Sequence, residues 1–273
     1  MDHKDIEVKF GLEGIEQIPE IIFKFRDWKN SFHKRLLLNN ELFSSDFESL
    51  NDPFDGSIYV KHKLSPVLKE DVKNLLGLED NLPIPLNDII GNASKSVVSE
   101  MNQDLKSSLK QTGVISFTSD KKNILLWSHY ANSHKGFAVG FDTKKLSKVI
   151  SELKLESFVK SINYSDTYPK IEFEFNLFKN PDNMLKFKAI IQSLTTKSKQ
   201  WSYEEEVRIL TFAKNRIKIN FPNDCIKEIN LGFKMDEKAT NEIIKIRNLR
   251  FPNATVYKCK KSADNYEISF HQI

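Results

Sequence analysis

The chain has 273 residues, about 40% of them hydrophobic, and a formal net charge of +4. That is apolar material for one substantial core, or one core with an inserted subdomain, and too mild a charge to single out nucleic acid as a partner. Two cysteines far apart, Cys225 and Cys259, argue against a zinc site or a disulfide framework. The charged start "MDHKDIEVKF" and the lack of any run of ~18 apolar residues argue against a signal peptide or membrane span, so a soluble, reducing, cytoplasmic setting is expected.

In chain order, residues 21–26 read as the first strand. "FHKRLLLNNELFSS" reads as a short helix or turn, followed by a strand around Leu42 to Ser44. "SLNDPFDG" is dense in turn formers. Asn51 and Asp52 can bond nearby backbone, Pro53 fixes a turn angle and Gly56 tolerates positive φ. A tight turn is expected there, with Asn51 or Asp52 accepting backbone amides.

Residues 64–110 read as mostly helical. "LSPVLKEDVKNLLGL" has Ser before Pro at a helix start and Gly77 at its end. "GVISFTS" at 113–119 is a strand, and "DKKNILLWSHYA" a helix with Ser119 or Asp120 as its cap. "KGFAVGFD" is a strand with Phe137, Val139 and Phe141 on one face, where Gly140 permits a close approach to the backbone. A short helix near 143–153, a strand around 158–164 and a helix near 181–199 follow. "CIKEINLGF" is a strand, "DEKATNEIIKIRNLRFP" an amphipathic helix, and "ATVYKCKKS" and "YEISFHQI" close the chain as strands.

Strands dominate both ends, helices fill the middle, and the order is not a regular βαβ alternation. This predicts an α+β fold with a mixed or antiparallel sheet core and a largely helical middle segment. No repeat or linker divides the chain. One domain over 1–273 is expected, with a helical insertion at about 62–111.

The stretch "WSYEEEVRIL", 201–210, sets three carboxylates inside an apparent strand. Alternation puts Trp201, Tyr203, Val207 and Ile209 on one face, and Ser202, Glu204, Glu206 and Arg208 on the other. Glu205 then falls on the core side, which implies a late strand start or a bulge. On the local pattern alone, a solvated strand face, or a helix with a Glu204–Arg208 pair, is the plainer reading.

Four segments taken together resemble the bacterial family known as domain of unknown function 2971. They are Phe25-Arg26, the turn Asn51 to Phe54, "WSHYANSHKGFAVGFD" from Trp127 to Asp142, and "WSYEEEVR" from Trp201 to Arg208. The order of elements is also similar to ADP-ribosyltransferases of the arginine–serine–glutamate type. Those carry an arginine on an early strand, a Ser-Thr-Ser element on a middle strand and Glu-x-Glu on a late one. Here the counterparts are Arg26, then Ser116, Thr118 and Ser119 in "SFTS", then Glu204 and Glu206; the "WSHYA" helix and Arg208 are extra.

The second resemblance implies an ADP-ribosyltransferase-like fold that uses NAD as a substrate. In this reading Glu206 steadies the ribose cation, Glu204 orients or deprotonates the acceptor, and Arg26 or Lys24 holds phosphate. Ser116, Thr118, Ser119 and Arg208 line the dinucleotide, with His129 and Tyr130 as further catalytic candidates. The acceptor would be nucleic acid or protein, and the setting a toxin or phage-defence effector under an antitoxin or regulator.

Each piece also has a plainer explanation. Arg26 can be a strand-edge charge, Ser119 a helix cap and Trp127 a core residue. His129 can be a satisfied imidazole, His134 a helix closure, and Asn51, Asp52 and Asp55 a turn. Two other functions stay open: a hydrolase holding Mg²⁺ on Asp52, Asp55, Glu204 and Glu206, or a binding domain in which the same residues are structural.

Overall fold

The computed structural model describes residues 18–64, 86–153, 157–175, 183–212 and 214–273. The fold is α+β, with a ten-stranded, mostly antiparallel sheet at its centre. Ile21–Arg26 (β1) lies between Gly113–Thr118 (β4) and Phe137–Asp142 (β5). The sheet continues from β5 through Ile226–Leu231 (β12) and Thr255–Lys261 (β13) to Ile268–Gln272 (β14). Among the described residues only β12 and β13 run parallel within it, joined across the helix Glu237–Arg250 (α6). On the other side, Glu206–Thr211 (β10) pairs along the whole of β4 and carries Ser157–Ser161 (β6) at its outer edge.

β4 has partners on both edges, and one edge is shared. Near its start it pairs with Glu41–Asp46 (β2), which in turn pairs with Ile217–Asn220 (β11). At its end Thr118 pairs with Phe23 of β1. Among the described residues no strand pairs with positions 115–117 on that edge, so their backbone groups need other partners. The Lys24 ammonium supplies one by donating to the Ser116 carbonyl, and it also sits 5.1 Å from the Phe117 ring centre.

Side-chain alternation separates the two faces. One face packs Ile22, Phe117, Val139, Phe141, Val207 and Ile209 into the main core. It is covered by Ser31–Leu38 (α1), Thr143–Glu152 (α4) and α6. The other face carries two separate apolar patches. Val114, Leu210 and Phe158 lie beneath Leu86–Gln111 (α2) and Asn183–Leu194 (α5). Phe23, Phe25 and Ala138 lie beneath Ile124–His129 (α3). The strip between the patches is polar, and the functional candidates sit on it.

Two further pairs complete the strands: Tyr59–Leu64 (β3) with Lys170–Phe175 (β8), and Asn163–Ser165 (β7) with Thr196–Ser198 (β9), both parallel. Much of the expected helical insertion at 62–111 lies outside the described residues, including "PVLKEDVKNLLGL"; its described parts are β3 and α2. Asn123, not Ser119 or Asp120, caps α3, its side chain accepting from the amides of Leu125 and Leu126. The stretch 201–210 is not one strand. Lys199–Glu204 forms a 3₁₀ turn, Glu205 is left-handed with φ 41°, and β10 begins at Glu206. Trp201 and Tyr203 are therefore on the turn, and the late start explains the odd parity of Glu205.

The loop after α3 is unusual. Asn132, Ser133 and His134 all have positive φ, at 48°, 55° and 66°. Such backbone costs about 1–2 kcal/mol per residue outside glycine. Surrounding bonds hold it: His134 N donates to Trp127 O, Gly136 N to Ala131 O, and Lys234 N to His134 O. Gly136 and Gly232 let the segments close, since a Cβ on Gly136 would lie 2.2 Å from the Arg26 carbonyl oxygen and one on Gly232 2.2 Å from that of His134.

Gly136→Ala or Gly232→Ala should therefore destabilise the fold by more than about 2 kcal/mol, because backbone atoms block the new methyl. Gly91→Ala, in α2 with nothing within 4 Å of the added carbon, should raise stability by about 0.5–1 kcal/mol. Denaturant midpoints of the three variants check both expectations.

Candidate functional site

The polar strip is built around Arg208, which is 0% exposed. A guanidinium has five N–H donors, and all five are used. Nε donates to Glu206 Oε1 at 2.7 Å. Nη1 donates to Asp55 Oδ1 at 2.7 Å and to the Leu194 carbonyl at 2.8 Å. Nη2 donates to Asp55 Oδ2 at 3.0 Å and to Glu206 Oε2 at 3.1 Å. Leu194 ends α5, so the cation also meets the negative end of that helix.

Lys197, on β9, is the second buried cation. Its ammonium donates to Glu204 Oε2 at 2.7 Å and to Glu206 Oε2 at 3.3 Å, and stands 4.5 Å from the Trp201 ring centre. The Tyr130 hydroxyl, at the end of α3, donates to Glu204 Oε1 at 2.7 Å and accepts from Asn51 Nδ2 at 2.8 Å. The Tyr164 hydroxyl accepts from the Glu206 amide at 2.8 Å.

The two glutamates are loaded unequally. Glu206 receives two donors from Arg208 and one from Lys197, and the Ser116 hydroxyl bonds it as well. That matches the roughly four acceptor sites of a carboxylate. Burial alone would raise its pKa, but Arg208, Lys197 and Ser116 hold it at about 2. Glu204 receives one donor per oxygen, from Tyr130 and Lys197, and so keeps acceptor capacity. Burial and the nearby Glu204 raise the Tyr130 hydroxyl well above its ordinary value, so it stays a neutral phenol. Burial also raises the Asp55 carboxyl, against the pull of Arg208.

The structure thus brings together Glu204, Glu206, Arg208, Ser116, Tyr130, Asn51 and Asp55, which come from four separate blocks of sequence. It leaves others apart. The Nη1 of Arg26 donates to the Phe25 carbonyl at 3.2 Å, and alternation from Phe23 puts Arg26 on the face opposite Glu206. Lys24 shares that face with Arg26; its ammonium lies over the Phe117 ring and donates to the Ser116 backbone carbonyl, and burial lowers its pKa, with Arg26 adding to the fall and Glu206 opposing it. Thr118 accepts from the Asp120 amide and Ser119 donates to the Glu205 carboxylate, so both tie down turns. His129 is exposed at the end of α3. Asp52 Oδ1 accepts from the Phe54 amide at 2.9 Å, as expected of the turn.

Among the described residues no three His, Cys, Asp or Glu side chains group closely enough to hold a metal ion. None of the helices is long and apolar enough to cross a membrane, among the same residues. Lys197 and Tyr164 were not legible as site residues. Lys197 sits in "TTKSKQW", where nothing separates it from surface lysines except its place a few residues ahead of the glutamates.

The arrangement is a buried, charge-balanced carboxylate pair on a sheet face. The model of a family described as "Protein of unknown function (DUF2971)" matches residues 126–209. That span holds Tyr130, Tyr164, Lys197, Glu204, Glu206 and Arg208 and supports the resemblance seen in the motifs; Arg26 and the 51–55 turn lie outside it. Comparison with curated proteins yields no match, and neither does comparison with solved structures.

Arg208→Met should cost about 3–5 kcal/mol, since it strands Asp55 as a buried, unpaired carboxylate and takes two of the donors from buried Glu206. The pH dependence follows from Glu206. Its pKa is depressed on folding, so its stabilisation is complete above the ordinary value of 4.5 and is lost as pH falls toward about 2. Denaturation of the wild type and Glu206→Gln at pH 7, 4 and 2.5 should show the gap between them closing by about 3 kcal/mol as the pH falls.

Proposed function

We propose that the chain breaks the nicotinamide–ribose bond of NAD and passes the ADP-ribose to an acceptor, as ADP-ribosyltransferases of the arginine–serine–glutamate type do. The observation that supports this reading is the adjacency of β1, β4 and β10. Elements some 90 residues apart in sequence meet on three neighbouring strands, with Phe23, Thr118 and Glu206 aligned across them. Ser116 acts on Glu206, and Lys24 reaches across to Ser116.

The roles of the glutamates differ from those expected. Glu206 is saturated, so it serves as a positioning residue that fixes Lys197 and, through it, Glu204. Glu204 keeps free acceptor sites and is the working carboxylate. When the C1′–N bond breaks, its electron pair leaves with nicotinamide and positive charge develops on the ribose. A fixed carboxylate stabilises that charge without reorganisation. The lone pair of the acceptor then forms the new bond at C1′, and its proton passes to Glu204.

A second reading is favoured by one observation: every charge in the strip already has a protein partner. On that reading the network is structural and the chain is a binding domain.

Nicotinamide release from NAD separates the two. Glu204→Gln should fold normally and lose about 10²–10³ in rate. Glu205→Gln should be nearly silent, because Gln keeps the acceptor that Ser119 uses. Glu206→Gln should lose activity and stability together. No release by the folded wild type, or full activity in Glu204→Gln, would sink the transferase reading.

A further inference from the structure

Away from the carboxylate strip, neighbouring strands of the sheet gather around one ammonium. The Lys121 ammonium lies 5.6 Å from the Phe23 ring centre, 4.7 Å from that of Tyr257 and 4.9 Å from that of Phe270. It also reaches both oxygens of Glu228, at 2.7 and 2.9 Å. The rings stand on β1, β13 and β14 and the carboxylate on β12. Between β1 and β12 runs β5, which carries Gly140 in register with Phe23 on one side and Glu228 on the other. A Cβ on Gly140 would lie 2.7 Å from Glu228 Cγ and 2.9 Å from Phe23 Cε1. The missing side chain is what lets the carboxylate and the ring turn toward one guest.

The cage is built into the sheet, and its occupant is not. Phe23 and Glu228 are buried, and Asn230 Nδ2 donates to Glu228 Oε1 at 3.2 Å, which holds the carboxylate in place. A carboxylate so buried requires a cation, and rings within about 6 Å favour it further. Lys121 arrives from the turn between β4 and α3, with its side chain 23% exposed, while Tyr257 and Phe270 are half-buried, so the cage meets solvent on that side. Other bonds hold the turn. The Lys121 carbonyl accepts from Trp127 Nε1 at 2.8 Å, Ser119 donates to the Glu205 carboxylate, and Asn123 Nδ2 donates to the Tyr203 carbonyl. The Lys121 side chain can therefore leave while the turn stays.

Lys121 is also an imperfect match. A primary ammonium has three N–H donors. Two suffice for the oxygens of Glu228, and among the described residues the third has rings around it and no acceptor. An N-methyl group in that place keeps positive charge against the rings, needs no acceptor and buries apolar surface.

We propose that Phe23, Tyr257, Phe270 and Glu228 form a binding site for an N-methylated alkylammonium, which Lys121 fills in the free protein and yields to the ligand. The two N–H groups of a monomethylated amine meet the two Glu228 oxygens, and its methyl takes the ring side. A free amine and a methylated lysine of another protein carry the same group, and the cage reads the chemistry they share. The inference is independent of the function proposed above.

The test is calorimetric titration of the full chain with N-methylbutylammonium and butylammonium at equal ionic strength, and with a short peptide carrying one N-methyl-lysine. N-methylbutylammonium should bind saturably at millimolar concentrations, about fourfold more tightly than butylammonium, the gain expected from one buried methyl-sized group. Lys121→Ala removes the internal competitor and should tighten binding about tenfold. Tyr257→Ala should weaken it about tenfold. Lys122→Ala, at an exposed neighbour, should change nothing. Circular dichroism checks that each variant is folded; should Lys121→Ala fail to fold, the wild-type titrations and Tyr257→Ala decide. No saturable binding to the wild type overturns the proposal, as does butylammonium binding as tightly as its methylated form. Unaltered affinity in folded Lys121→Ala or Tyr257→Ala overturns it too. Tighter binding of the peptide than of the free amine supports the proposal with a protein lysine as the source, and the reverse supports it with a small amine.

Discussion

The buried guanidinium of Arg208 is the constraint around which the rest is arranged. A cation with no exposure is tolerable only if every donor is met and its charge is balanced. Meeting five donors takes a carboxylate from the 51–56 turn, a carboxylate from its own strand and a carbonyl from the end of α5. Those three attachments draw together segments more than 150 residues apart. They also fix where α5 ends and therefore where β9 delivers Lys197. Across the whole strip three carboxylates, Asp55, Glu204 and Glu206, face Arg208 and Lys197, with Lys24 close enough to feel Glu206.

The sheet explains why this cluster lies where it does. On the face shared by Glu206 and Arg208, apolar packing stops at Leu210 and Val114 on one side and resumes at Phe23 and Phe25 on the other. α2 and α5 cover the first patch and α3 the second, and among the described residues no helix covers the gap. The turn at 51–56, the end of α3 and the 3₁₀ turn before β10 close it with polar side chains instead. The split on the far edge of β4 has the same origin: β1 and β2 leave that strand in different directions, and Lys24 occupies the opening.

Periodicity made β1, β5 and β12 readable because each carries a continuous apolar face, and the 51–56 turn was readable because Asn, Asp, Pro and Gly each have a local reason to be there. β3, β8 and β11 were not, since charged residues interrupt their apolar positions and they pair only with each other or with β2 among the described residues. The site was legible in its carboxylates, its tyrosine and Arg208 but not in its second cation. Lys197 and a surface lysine look alike in sequence; burial between two glutamates distinguishes them, and that depends on α5 and β9 arriving from elsewhere. Arg26 misled for the opposite reason. It occupies the right strand, but two-residue alternation from Phe23 turns it away from Glu206, and only the β1–β4 register reveals this.

The three adjacent glutamates make sense once the backbone between them is known. A straight strand would put Glu205 into the core, while a helix would fan all three around its axis. The left-handed turn at Glu205 does neither. It ends the 3₁₀ turn, starts β10 and lets Glu204 and Glu206 both reach Lys197, while Glu205 swings out to Ser119. Left-handed backbone at a non-glycine residue costs free energy, and here the Ser119 amide and hydroxyl offset it by bonding the Glu205 carbonyl and carboxylate. Two carboxylates so close would repel if both stood free. Loading Glu206 with Arg208, Lys197 and Ser116 balances its charge locally and leaves Glu204 oriented by Tyr130 and able to accept one more donor.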